Sequence, residues 1–170
     1  MQYVSLPRRQ LNCGSKFLDL SQPHVMGILN VTPDSFSDGG LHNSKQQAVD
    51  SAIQMIADGA TVIDIGGEST RPGAAEVTVE EELARVIPVV EALSDQDVIL
   101  SIDTSQPEVM RQAVGAGAHI WNDVRALTRP NALETAAELQ VPVILMHMRG
   151  EPTTMNQLAN YEHEIGRAHV

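Results

Sequence analysis

The sequence is poor in thiols, aromatic rings and positive charge. Its one cysteine, Cys13, excludes an internal disulfide and any multi-thiolate metal site, and suits a reducing cytoplasm. The six histidines form no HExxH pattern, and no paired CxxC spacing accompanies them, so no zinc motif is present. Phe, Tyr and Trp together make up 3%, so aliphatic side chains have to fill the core. With 11 Lys+Arg against 22 Asp+Glu the formal net charge is −11. Without a basic surplus to neutralise phosphates, binding to nucleic acid or to an anionic membrane face is not expected. No stretch approaches the roughly 18 apolar residues of a spanning helix, and no basic stretch followed by an apolar core opens the chain.

What is there is a repeat. Hydrophobic residues reach 42% of the 170, ample for one packed domain. Past the first twenty residues, short β-branched runs alternate with helix-period segments. The runs are Val25 to Leu29, Thr61 to Ile65, Val98 to Ile102, His119 to Trp121 and Val141 to Met146. Each is close to continuously apolar, the mark of parallel strands covered on both faces. Helices are predicted over Ser44–Asp58, Thr78–Leu93, Pro107–Ala116 and Ala132–Leu139. Ser44, Thr78 and Ser105 stand as N-caps, and Gly59 and Gly117 as left-handed C-terminal residues.

A βα repeat builds either an open doubly wound sheet or a (β/α)8 barrel. The polar residues argue for the barrel, because every strand ends in them: Asn30, Asp64 with Glu68, Asp103, Asn122 with Asp123, and His147. An open sheet gathers its site at one switch point, whereas a barrel draws on many strand ends. Eight units need about 250 residues, so the expectation is an incomplete TIM barrel of about five βα units.

The motifs concentrate at those strand ends. In Asn30-Val31-Thr32-Pro33-Asp34-Ser35-Phe36-Ser37-Asp38-Gly39-Gly40, alternation puts Asn30 on the inner face with Met26 and Ile28. An amide oxygen beside acidic groups suits Mg2+, a hard cation that also bridges to phosphate. Gly66-Gly67-Glu68-Ser69-Thr70-Arg71-Pro72-Gly73 offers glycines for close approach, a hydroxyl and a guanidinium fork for phosphate oxygens; it is no Walker loop. Asp103 has two readings, a helix cap or a free inward carboxylate, and Ser105 is the better-placed cap. Asn122 shares the face of Ile120, while Trp121 points into the helix layer. Asp103 and Asn122 on neighbouring strands form an acceptor and donor pair that could read a flat, amide-rich heterocycle. Met146 serves equally as core filler or as a soft apolar surface under a ligand, and His147 reads as a structural residue.

Taken together, Met26 to Gly40, Ile65 to Gly73, Ser101-Ile102-Asp103-Thr104, Trp121-Asn122-Asp123 and Met146-His147-Met148 resemble, in order and spacing, the motifs of the dihydropteroate synthase family. The resemblance covers residues 12 to 163. It implies a (β/α)8 barrel that joins 6-hydroxymethyl-7,8-dihydropterin diphosphate to p-aminobenzoate, releasing diphosphate and forming 7,8-dihydropteroate for folate synthesis. Asp103 and Arg71 would be catalytic. Thr70, Arg71, Asp103, Asn122, Asp64, Met146, Phe36 and Pro72 would bind substrate, with Phe36 and Pro72 bordering the p-aminobenzoate pocket where sulfonamides bind. Asn30 would ligate Mg2+. A cytoplasmic homodimer is implied for full-length members. The alternatives are a pterin-binding methyltransferase domain, which would not need the Thr70-Arg71 loop, and a noncatalytic partial barrel.

The family's later motifs, a lysine-bearing Gly-rich strand, a Ser-Arg-Lys loop and an Arg-x-His strand end, do not occur in these residues. The expected division is a lead-in over 1–22, the N-terminal part of a pterin-binding barrel over 23–163, and a non-native tail over 164–170. Ile165-Gly166-Arg167-Ala168-His169-Val170 lacks helix periodicity and can be encoded by ATC GGA AGA GCA CAC GTC, the stem of a common sequencing adapter. The expectation is therefore a fragment of a longer gene product.

Overall fold

The computed structural model describes residues 9–32, 40–68, 77–151 and 154–160. Two short strands, β1 (Gln10–Cys13) and β2 (Lys16–Asp19), form an antiparallel hairpin. Five parallel strands follow: β3 (Met26–Asn30), β4 (Val62–Gly66), β5 (Ile99–Asp103), β6 (Ile120–Asp123) and β7 (Val143–Leu145). Between them lie α1 (Gly40–Ala57), α2 (Val79–Leu93), α3 (Pro107–Gly115) and α4 (Ala132–Leu139), and the short α5 (Met155–Leu158) comes last. The strands pair strictly in chain order, β3-β4-β5-β6-β7. A doubly wound sheet would reverse its order at a switch point; none occurs here, so the sheet is an incomplete (β/α)8 barrel.

Two apolar clusters follow from the period of two along each strand. Leu29, Ile63, Ile65, Leu100, Ile102 and Trp121 face outward and pack with Ala48 and Ala52 of α1, Val86, Val89 and Leu93 of α2, and Val109 and Met110 of α3. Val62, Ile99 and Ile120 face inward, and there they meet Cys13 and Leu18 of the hairpin. The hairpin thus plugs the end where the strands begin. Lys16 ties it down, its Nζ donating to the carbonyls of Gln96 at 2.7 Å and Val98 at 2.8 Å. Cys13 is fully buried in that plug, and burial raises its thiol pKa.

The hairpin is the element the sequence reading missed; its residues lay in the undivided lead-in. β3, β4 and β5 start and end one residue later than predicted, β6 starts one and ends two residues later, β7 is shorter at Val143–Leu145, and α4 falls as expected. Thr78 caps α2 through a full capping box: its Oγ1 accepts from the Glu81 N–H and its own N–H donates to Glu81 Oε2, each at 3.2 Å. Two other caps are corrected. Helix α1 begins at Gly40, since Leu41-His42-Asn43 contains no residue that stops a helix, and Ser44 lies inside it. Helix α3 has Gln106 at its N-cap without a side-chain bond, because Ser105 instead donates to buried Asp123 Oδ1 at 2.6 Å. Gly59 and Gly117 do take positive φ, 107° and 114°.

Among the described residues the two edge strands carry exposed apolar side chains. Val143, Ile144 and Leu145 of β7 are 39%, 38% and 51% exposed, and Ile28 on β3 is 56% exposed. The segment 164–170 lies outside the described residues.

Candidate active site at the strand ends

The parallel register assembles the site. One inward row at the C-terminal edge runs Asn30, Gly66, Asp103, Asn122, Ile144 across the five strands. The next inward row, one pleat deeper, runs Ile28, Asp64, Ser101, Ile120. Below it, Met26, Val62 and Ile99 sit on the hairpin plug. The inner face therefore changes from apolar at its floor to polar at its mouth.

Asp64 is 3% exposed and Ser101 fully buried. Asn122 Nδ2 donates to Asp64 Oδ2 at 2.9 Å. The other Asp64 oxygen, Oδ1, and the Ser101 hydroxyl have no hydrogen-bond partner among the described residues. Buried polar atoms left unpaired cost on the order of 1–3 kcal/mol each, so this pair of groups is suited to a polar ligand entering from the mouth. The sequence reading grouped Asn122 with Asp103 as donor and acceptor toward a ligand; within the protein the Asn122 amide bonds Asp64, because strand tilt in a barrel brings residues of alternate strands to one level.

Asp103 stands beside this pair on β5, partly buried. Burial first, and then the charges of Asp64, Glu82, Asp123 and Glu68, push its pKa up to about 7. A carboxyl that exchanges its proton near neutrality can donate a hydrogen bond as well as accept one, or carry charge when a cation develops nearby. It caps no helix.

Asp123, one residue beyond Asn122, has a different job. It is fully buried, and besides the Ser105 hydroxyl it accepts from the N–H groups of Arg125 at 2.9 Å and Leu127 at 2.7 Å. It thereby holds a tight turn in which Ala126 and Leu127 take φ of 52° and 59°, costly for side chains with a Cβ. Arg125, in that turn, lies 3.8 Å from Glu68 and 3.6 Å from Glu151, joining three strand-end loops. Trp121 is fully buried in the helix layer, its Nε1 donating to the Thr104 carbonyl at 2.7 Å. Met146 is partly buried, and His147 is exposed.

Asn30 ends β3, exposed at the mouth. Its amide oxygen is the kind of donor a hard cation takes. Among the described residues no group of three or more His, Cys, Asp or Glu could hold a metal ion. Phe36, Thr70, Arg71 and Pro72 lie outside the described residues, as do Asp34 and Asp38.

Two residues of this region escaped the sequence reading. Ser101 has the same strand parity as Asp103, a signal that was present. Glu82 looks like one of three acids in the first turn of α2, but its spacing to Val86, Val89 and Leu93 is that of the buried helix face.

The comparisons agree with this geometry. The family described as "Pterin binding enzyme" matches residues 26–169. The dihydropteroate synthase of Escherichia coli K12 is 65% identical over 146 residues, covering 85% of this chain and 52% of that protein. That of Haemophilus influenzae is 52% identical over 157 residues, covering 92% of this chain and 57% of the relative. The chain thus spans about half the length of these curated relatives. Among solved structures, Yersinia pestis dihydropteroate synthase in a sulfonamide drug complex superposes with a TM-score of 0.84 at 56% identity, covering 92% of this chain and 57% of that one. Xanthomonas albilineans dihydropteroate synthase with 4-aminobenzoic acid gives 0.80 at 58% identity, covering 83% and 52%. With the strand-end motifs in register on one barrel face and the family match running through all five parallel strands, this chain belongs to the pterin binding enzyme family.

Proposed function

We propose that this chain contributes the pterin side of a dihydropteroate synthase site. In that reaction the pterin CH2–O bond of 6-hydroxymethyl-7,8-dihydropterin diphosphate breaks, diphosphate leaves with the bonding pair, and the p-aminobenzoate nitrogen bonds to the carbon and loses a proton. The observation that carries the reading is the Asn122–Asp64 pair with its unpaired Oδ1 and the Ser101 hydroxyl beneath. Together they offer acceptors and donors to the edge of a flat heterocycle inside the barrel.

Each residue then has a task. Asp64 and Asn122 hold the ring edge, and Met146 gives it an apolar surface. Asp103, with its pKa held up near neutrality, hydrogen-bonds the ring and, when ionised, stabilises the positive charge that develops as the CH2–O bond breaks. Thr70 and Arg71 hold the departing diphosphate with charge-assisted hydrogen bonds. Phe36 and Pro72 border the p-aminobenzoate pocket. The arylamine is already neutral at pH 7, so no strong base has to precede attack. The Asn30 amide oxygen would be a ligand for Mg2+, a hard cation that would supply positive charge to the departing diphosphate. We carry the cytoplasmic location and the homodimer of the family as part of the same proposal.

Pterin binding tests it. Titrating 6-hydroxymethylpterin into the purified protein should quench pterin fluorescence, and Asp64→Asn should weaken binding roughly 10- to 100-fold through the lost charged hydrogen bond. Equal affinity in the variant would contradict the assignment.

A further inference from the structure

Helix α2 contributes a residue that no motif singled out. Glu80, Glu81 and Glu82 open it together. Glu80 and Glu81 are exposed, placed as carboxylates favour at a helix N-terminus. Glu82 points inward: it is 1% exposed, and its Oε1 has no hydrogen-bond partner among the described residues. Capping does not explain it, since Thr78 and Glu81 already close the capping box.

Its surroundings lie behind the strand-end site. A Cβ added to Gly67 would sit 3.0 Å from Glu82 Cγ and 2.8 Å from Val86 Cγ2, so the backbone leaving β4 rests directly on this face of the helix. From the same helix Arg85 Nη1 donates to the Gly67 carbonyl at 2.8 Å. The Thr104 hydroxyl, one residue past Asp103, faces the Glu82 carboxyl and favours its charged form.

We infer that Glu82 is a positioning residue of the strand-end site, bracing Gly67 at the root of the segment that carries Thr70 and Arg71, and acting through Thr104 and its own charge on Asp103. The inference deepens the proposed function and rests on it for the role of Asp103. The groups facing Glu82 are Thr104, Glu68, Arg129 and Arg85; those facing Asp103 are Asp64, Glu82, Asp123 and Glu68. Burial is the leading cause that pushes both carboxyls up to about 7, and the Thr104 hydroxyl works against it at Glu82. Two such neighbours lose their protons in steps that belong to the pair, so an ionised Glu82 opposes ionisation of Asp103.

The test is a carbon-13 NMR titration of labelled aspartate carboxyls, with the Asp103 signal assigned by Asp103→Asn, in the whole polypeptide that the gene encodes. Glu82→Gln keeps the shape and removes the charge. The Asp103 midpoint should move to lower pH, and the acid limb of kcat should move with it while KM for p-aminobenzoate stays put. An unchanged Asp103 midpoint in folded Glu82→Gln overturns the inference. Should that variant not fold, Thr104→Val removes the hydroxyl that favours the Glu82 carboxylate. Glu82 then stays neutral to higher pH, and the Asp103 midpoint should again fall; a midpoint equal to wild type overturns the inference here too. A wild type that makes no dihydropteroate defeats the proposed function separately, and the titration still decides the coupling.

Discussion

Asn122 on β6 donates its amide hydrogen to Asp64 on β4 at 2.9 Å, joining two strands that have β5 between them. The bond exists because the strands of a barrel are tilted, so one level of its interior is filled from alternate strands. It leaves one Asp64 oxygen unpaired, and this half-satisfied carboxylate is what the proposed ring would complete.

Asn122→Ala should therefore destabilise the protein by about 1.5–3 kcal/mol, since it removes the side-chain donor that the buried Asp64 carboxyl has among the described residues. Asp64→Ala on top of it should cost less than Asp64→Ala does alone in wild type. Denaturant unfolding of the single and double variants checks this, and strict additivity would show that the bond contributes nothing.

A pH dependence follows from Asp103. Its ordinary value is 3.8 and its folded value about 7, so the unfolded chain gives up the proton first as pH rises. The associated stability is present below about 4 and is lost as pH climbs through about 7. Asp103→Asn has no proton to lose there. Relative to wild type it should gain stability between pH 5 and pH 8, measured by urea unfolding at both. A variant-to-wild-type difference that is the same at both pH values would refute the raised pKa.

Two glycines make a matched pair. Alanine at Gly67 would press on Val86 Cγ2 at 2.8 Å and Glu82 Cγ at 3.0 Å, within a packed helix face; alanine at Gly27 would meet Met55 Sδ at 2.8 Å. A methionine end can swing away, whereas the Val86 branch is held in the core. Gly67→Ala should cost about 1–3 kcal/mol and Gly27→Ala distinctly less, as thermal unfolding would register. The reverse order would contradict the packing described at the root of the second loop.

The strands were legible because burial on both faces writes nearly unbroken β-branched runs; period-two counting placed Asn30 and Asn122 on the inner face, while Asp64 and Asp103 were noted as polar residues at strand ends. Three things were not. The hairpin was hidden because its strands are four residues each; the cue was Gly14 between Leu11-Asn12-Cys13 and Phe17-Leu18. The Ser105 cap failed because a buried carboxylate, Asp123, outcompeted a helix end open to water for the hydroxyl. The Asn122–Asp64 pairing depends on strand tilt, which no local pattern encodes. Glu82 shows the same limit from the other side: in a run of acids, only helical phase separates the solvated ones from the buried one.

The exposed side chains of β7 have a consequence for handling. Expressed as these 170 residues alone, the polypeptide should self-associate, because Val143, Ile144 and Leu145 present exposed apolar side chains on a strand at the edge of the described sheet. Sedimentation over a range of concentrations measures it, and a sharp monomer at every concentration would be the contrary result.

The central claim is settled most directly by product formation. The whole polypeptide that the gene encodes, given 6-hydroxymethyl-7,8-dihydropterin diphosphate, radiolabelled p-aminobenzoate and Mg2+, should yield labelled 7,8-dihydropteroate and one diphosphate per turnover. Arg71→Ala should raise the KM for the pterin diphosphate by roughly 30-fold, the equivalent of about 2 kcal/mol, and Asp103→Asn should lower kcat. Labelled p-aminobenzoate recovered unchanged from folded wild-type protein that binds the pterin would contradict the account.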